Sequence, residues 1–107
     1  MKVYIAGKIT NDPDYRKKFG HAEEVLRSHG CTVMNPAVLP DGFKWEEYMT
    51  ITLAMLEVCD AIILLPGWKD SKGAQIEFKR ARTSGKMILE LTPSWRLRGR
   101  IYEPNRI

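Results

Sequence analysis

The sequence predicts an α/β fold: a doubly wound parallel sheet of four to five strands in a single three-layer α/β/α domain. Two observations support this prediction. Short β-prone segments alternate with amphipathic helical segments, and the connections between them are short. One β segment, residues 61–65, is an uninterrupted apolar run, as expected of a central parallel strand covered on both faces. At 107 residues, the chain is long enough for one domain with its own core.

A strand and a helix open the chain. Residues 2–6 are a short β-prone run, and Gly7 is the break expected where a strand ends. Asp12-Pro13 predicts a helix N-cap followed by a first-turn proline, and Gly30 is the expected stop. The apolar residues between them recur at helical spacing: Tyr15, Phe19, Ala22 and Val25 or Leu26.

A second strand and helix follow. Residues 31–34 predict a short strand, closed by Asn35-Pro36, and residues 36–44 predict a loop because they contain two prolines and a glycine. The next helix is indicated by apolar residues at helical spacing: Trp45, Met49, Leu53 and Leu56.

The alternation then repeats. The central strand over residues 61–65 is stopped by Pro66-Gly67, and a third helix is expected from Gly73 to Ser84. Residues 86–91 predict a fourth strand. The expected inner face of the third helix is apolar: Ala74, Phe78 and Ala81.

We divide the chain into an α/β domain over residues 1–91 and a basic tail over residues 92–107. The tail carries four arginines against the single acid Glu103, within a net charge of +4 for the chain. Such a tail suits the phosphates of nucleic acid or of a small ligand, and it is equally consistent with a solvated tail or an oligomer contact. Nucleic acid is the least favoured partner, because only Trp95 and Tyr102 are interleaved with the arginines.

The sequence predicts a cytoplasmic protein with no membrane partner. No apolar run approaches the roughly 20 residues that span a bilayer, and the first residues suit a strand better than a secretion signal. Cys31 and Cys59 lack metal-ligand spacing, and each precedes an apolar run. We expect both to be reduced and half-buried.

Ligands of doubly wound sheets bind beyond the carboxyl ends of the strands. This rule places residues 7–10 and 68–73 at the functional edge and Asp60 at the opposite edge, where we expect a structural role. The loop over residues 68–73 runs into a helix N-terminus, which favours an anion, and Ser71 and Lys72 add donors. Neither a Walker loop nor a G-x-G-x-x-G motif is present, so the sequence does not favour a P-loop or a dinucleotide site. The alternative for this loop is a plain helix-capping turn.

Glu77 is the candidate for chemistry in this segment. It lies six residues after Ser71, whereas a capping-box glutamate lies three residues after its cap. We expect the helix dipole to keep its carboxylate ionised, as suits a nucleophile or a stabiliser of developing positive charge at C1′ of a nucleoside. The alternative is an ordinary surface glutamate.

Other candidates have structural alternatives. Lys8 suits a phosphate contact, and Gly7 beside it allows close backbone approach. Tyr4 within a strand is also typical of a core residue, and Trp68 suits either stacking on a base or packing on the sheet edge. Two histidines without paired acids are interpreted as solvated helix residues: His21 and His29.

Taken in order, three motifs resemble the nucleoside 2-deoxyribosyltransferase-like superfamily, which includes 2′-deoxynucleoside 5′-monophosphate N-glycosidases. The chain is most similar to its small phage and bacterial branch, the domain of unknown function 4406, and the resemblance covers about residues 1–91. The motifs are Tyr4-Ile-Ala-Gly7, Leu53-Ala-Met-Leu56 before Cys59-Asp60, and Ser71-Lys-Gly73 with Glu77 four residues on.

The resemblance implies a flavodoxin-like, Rossmann-like sheet and a homo-oligomer, a dimer or larger, with sites near subunit contacts. It implies Glu77 as the catalytic carboxylate and Tyr4 as the residue that orients it. Two loops would hold sugar or phosphate, with neither a metal nor an organic cofactor: Gly7, Lys8 and Ile9 in one, and Ser71, Lys72 and Gly73 in the other. Asn105 in the tail would complete a neighbour's site.

Thr52 departs from the family pattern. Relatives commonly carry an aspartate just before the Leu-Ala pair of the second helix, where it positions or protonates the ligand, and threonine is no acid at neutral pH. We therefore expect N-glycosidic cleavage or deoxyribosyl transfer on a 2′-deoxynucleoside or its 5′-monophosphate. The alternatives are a catalytically weak or inactive nucleotide sensor or sponge and, third, a nucleic-acid-binding protein.

Overall fold

The computed structural model describes residues 1–99 and confirms the predicted α/β class. No helix in this part of the chain is both long and apolar enough to cross a bilayer. Two short 3₁₀ turns, Pro36–Val38 and Trp68–Asp70, lie in the loops. The main elements are β1 (Lys2–Ala6), α1 (Tyr15–Ser28), β2 (Thr32–Met34), α2 (Trp45–Glu57), β3 (Ala61–Leu64), α3 (Lys72–Thr83), β4 (Met87–Leu91) and β5 (Leu97–Arg98).

The strands form one sheet in the order β2-β1-β3-β4-β5. The first four are parallel, with Tyr4 of β1 opposite Met34 of β2 and Ile62 of β3, and β5 runs antiparallel to β4. This is the flavodoxin-like order, in which the chain changes direction across the sheet between β1 and β3. The crevice at the carboxyl ends of these two strands is therefore where a ligand site is expected.

The sheet separates two layers of apolar packing. Because side chains alternate along a strand, Val3 and Ile5 face α1, whereas Tyr4 and Ala6 face α2 and α3. Phe19 and Leu26 are the largest fully buried α1 side chains in the first layer. The second layer is filled from α2 and α3 by Leu56, Ala74, Phe78 and Ala81.

The start of α1 differs from the sequence prediction. Asp12 is not the N-cap: the helix begins at Tyr15, after a turn in which Asn11 has φ +64°. That turn places the Asp12 carboxylate ahead of the helix, where it accepts the Asp14 N–H at 3.0 Å and the Lys18 ammonium at 2.8 Å. Asp12 therefore ties the turn to the first turn of α1 instead of capping it.

The two cysteines are free thiols with different environments. Cys31 is half-buried, as predicted, whereas Cys59 is buried with the α2 and α3 layer. The half-buried prediction is wrong for Cys59, because this side chain is 5% exposed and belongs to the buried cluster that contains Leu56 and Ile62.

Part of the predicted tail packs on the domain. Leu97 and Arg98 pair with Leu91 and Glu90 as the edge strand β5, and Trp95 and Leu97 pack against the α1 side of the core. Trp95, with φ +62°, makes the turn between β4 and β5, and its ring meets His21 edge-on at 4.4 Å between centroids.

Candidate functional site

A cavity of about 700 Å³ opens where the loop after β1 meets the start of α3. Its volume is typical of small-molecule sites. Most of the residues predicted for a site line it together: Tyr4, Gly7, Lys8, Ile9, Ser71, Lys72, Gly73 and Glu77.

A buried Tyr4–Glu77 pair forms part of the cavity wall. Tyr4 is only 1% exposed on β1, and Glu77 is 6% exposed on the second turn of α3. The Tyr4 hydroxyl donates a hydrogen bond to Oε2 of Glu77 at 2.7 Å. The strand alternation that turns Tyr4 toward α3 thus gives the carboxylate a fixed orientation.

Burial dominates the electrostatics of this pair. Loss of hydration raises the pKa of Glu77 from 4.5 to about 7, although the hydrogen bond from Tyr4 and the polar hydroxyl of Thr52 act in the opposite direction. The sequence-based expectation that the helix dipole keeps this carboxylate ionised is therefore wrong: near neutral pH, both protonation states are populated. Burial, together with the charge of Glu77, also raises the pKa of Tyr4 well above its usual value.

Thr52 completes the polar cluster from α2. It is 6% exposed, and within residues 1–99 the buried polar side chains are Asn35, Thr52 and Glu77. The Thr52 hydroxyl donates to the Met49 carbonyl at 3.4 Å, and its polarity beside the Tyr4–Glu77 pair partly offsets the rise in the pKa of each. Thr52 thus adds a buried neutral hydroxyl to the surroundings of the Glu77 carboxylate.

The loop before α3, which the sequence predicted as an anion site or a helix-capping turn, caps the helix through Ser71. The Oγ of Ser71 accepts the Ala74 N–H at 3.1 Å, so this hydroxyl is used as an N-cap. Lys72 and Gly73 follow in the first turn and line the cavity with Ser71. The capping turn therefore faces the cavity, and the two interpretations of the loop are compatible.

The loop after β1 also lines the cavity, with Lys8 half-buried in it. A Cβ at Gly7 would lie 3.1 Å from Cβ of Leu65 and 3.2 Å from Cζ of Phe19. The sequence suggested that Gly7 permits close approach of a ligand. In the structure, its tightest neighbours belong to the core.

Three candidates lie elsewhere. Trp68 is 8% exposed and packs on Phe78, with 4.8 Å between ring centroids, so the structure places it in the core and not on the cavity wall. Asp60 lies at the opposite edge of the sheet, where Oδ2 accepts the Lys2 N–H at 2.9 Å. Asn105 lies outside the described residues.

The sequence reasoning missed one wall of the cavity. It is built from the loop before α2 and from the first turns of that helix, and it holds three aromatic rings. The signal was the clustering of aromatic residues at the end of the Pro- and Gly-containing loop. The missed residues are Asp41, Phe43, Trp45, Tyr48 and Met49.

Among the residues that the structure describes, no three His, Cys, Asp or Glu side chains come together as a metal site would require. The site instead combines one buried carboxylate, hydroxyl groups, two lysines and aromatic rings.

Comparisons with known proteins agree with the fold. A family model described as "Domain of unknown function (DUF4406)" matches residues 1–90, whereas no curated protein sequence matches significantly. The structure of a CMP N-glycosidase from Clostridium botulinum is similar, with a TM-score of 0.63, 22% identity, and coverage of 84% of this chain and 70% of that one. A 2-deoxyribosyltransferase from Bacillus psychrosaccharolyticus gives a TM-score of 0.68 and 21% identity, covering 100% of this chain and 76% of that one.

Proposed function

The chain belongs to the DUF4406 family, and on that premise we propose that it cleaves or transfers the N-glycosidic bond of a 2′-deoxynucleoside or its 5′-monophosphate. Glu77 is the proposed catalytic carboxylate, and Tyr4 the residue that orients it. Two solved structures with a similar fold support the reaction class, since one is a CMP N-glycosidase and the other a 2-deoxyribosyltransferase.

The observation that carries the proposal is a buried carboxylate on the wall of a nucleotide-sized cavity. Glu77 has a fixed hydrogen-bond partner 2.7 Å away, and it sits where a ligand can reach it. A buried acid with a pKa near neutrality is typical of a functional site, because a purely structural role does not require this loss of hydration.

The chemistry follows from the ionised form of Glu77. Its carboxylate oxygen attacks C1′ of the deoxyribose, and the electrons of the C1′–N bond leave with the base, which takes a proton from water. Water or a second base then attacks C1′ and gives up its proton to solvent, the ester bond to Glu77 breaks, and the carboxylate is regenerated. In the alternative form of the mechanism, the carboxylate only stabilises the positive charge that develops at C1′.

The loops on either side of the cavity suit a phosphate or the sugar. Lys8 lines the cavity from the loop after β1, and Lys72 and the amides around Gly73 belong to the N-terminal turn of α3. A helix N-terminus with an adjacent lysine favours an anionic group, which supports a 5′-monophosphate as substrate.

The direct test measures base release from the four 2′-deoxynucleoside 5′-monophosphates and, with an acceptor base, from the free deoxynucleosides. We expect release with at least one of them, and a loss of at least 100-fold in Glu77→Gln. Glu24→Gln is the matched control, because Glu24 is an exposed α1 residue whose side chain makes no hydrogen bond or ion pair within residues 1–99. Absence of base release from every substrate would reject the proposed activity.

A nucleotide sensor or sponge is the second candidate function. It is favoured by Thr52, which places a hydroxyl and not a second acid beside Glu77. This function predicts saturable nucleotide binding without turnover, which largely survives Glu77→Gln. A measurable turnover that disappears in Glu77→Gln would exclude it.

A further inference from the structure

We propose that Trp45 and Lys72 form a coupled subsite, in which a bound phosphate draws Lys72 off the indole ring and a planar base takes its place. This inference deepens the proposed function, on which it rests for the nature of the ligand. It concerns binding and not turnover, so it can be tested separately.

The indole ring of Trp45 is held at the cavity wall by α3. A Cβ built at Gly73 would lie 3.2 Å from Sδ of Met49 and 3.9 Å from Nε1 of Trp45. The first turns of α2 and α3 therefore approach closely, and glycine at position 73 leaves room for the edge of the indole. Trp45 is nevertheless 39% exposed, so part of its ring remains accessible.

One face of that ring is covered by a cation. The Nζ atom of Lys72 lies 5.0 Å from the centroid of the Trp45 ring, within the range of a cation–π contact. Lys72 is itself an exposed residue of the first α3 turn, next to the amides that favour an anion.

A phosphate and the indole compete for the same ammonium group. A charge-assisted hydrogen bond to a phosphate oxygen is stronger than a cation–π contact at an exposed ring. A phosphate at the start of α3 therefore removes Lys72 from the ring, and the uncovered face becomes available to a base. Phe43 and Tyr48 line the same wall, so a base bound there lies among aromatic side chains.

Binding of the phosphate and binding of the base of one nucleotide are thus coupled. The phosphate of a 5′-monophosphate prepares the indole face for its own base, whereas a free deoxynucleoside must displace Lys72 without compensation. The subsite therefore selects phosphorylated nucleosides in two ways. Lys72 attracts the phosphate and Trp45 the base, and binding of the phosphate also makes the Trp45 ring available to the base.

The experiment measures the affinity of inorganic phosphate and of a free deoxynucleoside by calorimetry. Deoxynucleoside binding is measured in a Glu77→Gln background, so that no turnover consumes the ligand. In Trp45→Leu, we expect inorganic phosphate to bind about two- to five-fold more tightly, because Lys72 is released from the ring. Deoxynucleoside binding should weaken by about five-fold or more, because the stacking surface is lost.

Two further variants separate coupling from other effects. In Lys72→Met, phosphate binding weakens, and deoxynucleoside binding improves about two-fold because the indole face is uncovered. In the double variant, the gain of phosphate affinity from Trp45→Leu disappears. Lys79→Met is the matched control, because Lys79 is an exposed α3 residue outside the cavity wall, and both affinities should stay within about two-fold of wild type.

Several results would overturn the subsite. Unchanged phosphate affinity in Trp45→Leu, or a gain that persists in the double variant, shows that Trp45 does not restrain Lys72. If Trp45→Leu fails to fold, Trp45→Phe must give a smaller shift in the same direction, and the Lys72→Met arm still decides. If the wild-type protein releases base but Trp45→Leu leaves its phosphate affinity unchanged, the subsite alone is rejected. Intact coupling without base release rejects the proposed activity alone.

Discussion

At the scale of single residues, Glu77 is the place where two physical effects oppose each other. A helix N-terminus favours an ionised carboxylate by about 0.3–1 kcal/mol, whereas full burial can raise a carboxyl pKa by several units. Burial is the larger effect here, since the pKa of Glu77 rises to about 7. The side chain is therefore poised to change its charge near neutral pH.

We expect the rate of base release to rise with pH and to level off above about pH 7. Glu77 acts as a nucleophile or charge stabiliser only when ionised, and its pKa is about 7. Initial rates from pH 5 to pH 9 give the midpoint. A midpoint near pH 4.5 would contradict the role assigned to burial.

Tyr4→Phe should lower the rate by about 10- to 100-fold and move this midpoint to higher pH. The Tyr4 hydroxyl donates to Glu77, and loss of that hydrogen bond disfavours the ionised carboxylate. The rate profile of Tyr4→Phe measures both effects. A lower rate with an unmoved midpoint would mean that Tyr4 orients the substrate and does not tune Glu77.

Glu77→Gln should stabilise the protein at pH 8 and do so progressively less as the pH falls. The folded-state pKa of Glu77 lies above its ordinary value of 4.5, so the stability that its protonated form contributes is complete below about pH 4.5. That stability is lost as the pH rises through about 7. The difference in unfolding free energy between Glu77→Gln and wild type should therefore grow, by at most about 3 kcal/mol between pH 4.5 and pH 8. Chemical denaturation measures it, and for Glu24→Gln the difference should stay constant.

At the scale of elements, the site depends on the loops that follow β1 and precede α3. Gly7 lets the first of these loops pass over Leu65 and Phe19, and Ser71 begins α3 at the cavity wall. The chemistry of the site is therefore carried by side chains whose positions are set by tight backbone packing. Small changes in that packing should affect stability and ligand affinity together.

Gly7→Ala and Gly20→Ala are expected to have opposite effects on stability. A Cβ at Gly7 lies 3.1 Å from the Leu65 Cβ, so overpacking should cost about 1–3 kcal/mol. A Cβ at Gly20 meets nothing within 4 Å inside α1, so alanine should add about 0.5–1 kcal/mol by helix propensity. Thermal and chemical unfolding measure both variants. A neutral Gly7→Ala would show that the loop after β1 can move away from the core.

At the scale of the whole molecule, the chain combines a fold shared with glycosyl-bond enzymes and a cavity of nucleotide size. The resemblance to the DUF4406 branch is confirmed by the family match over residues 1–90, and the solved structures share the flavodoxin-like fold.

Ligand binding should stabilise the whole domain. A deoxynucleoside monophosphate present at 100 times its Kd adds about 2.7 kcal/mol to the unfolding free energy. The rise in Tm, measured by calorimetry, should persist in Glu77→Gln, because that variant keeps the cavity and both lysine-bearing loops. A rise in Tm that vanishes in Glu77→Gln would place the ionised carboxylate among the main binding contacts.

The sequence by itself determined the elements and the edge of the sheet where the site lies. Local patterns suffice for this: the alternation of apolar segments predicts strands and helices, and parallel topology gathers the loops after β1 and before α3 at one edge. The resemblance to the DUF4406 branch likewise follows from the order of the motifs that contain Tyr4, Gly73 and Glu77.

Only the tertiary structure decided the environments of these residues. The hydrogen bond from Tyr4 to Glu77 joins positions 73 residues apart, and the raised pKa of Glu77 depends on the removal of water by packed helices. The sequence left Trp68 either to stack on a base or to pack on the sheet edge. Its contact with Phe78 shows that the side chain packs in the core. The physical reason is common to these cases: pattern fixes backbone class locally, whereas burial and contact are properties of the assembled fold.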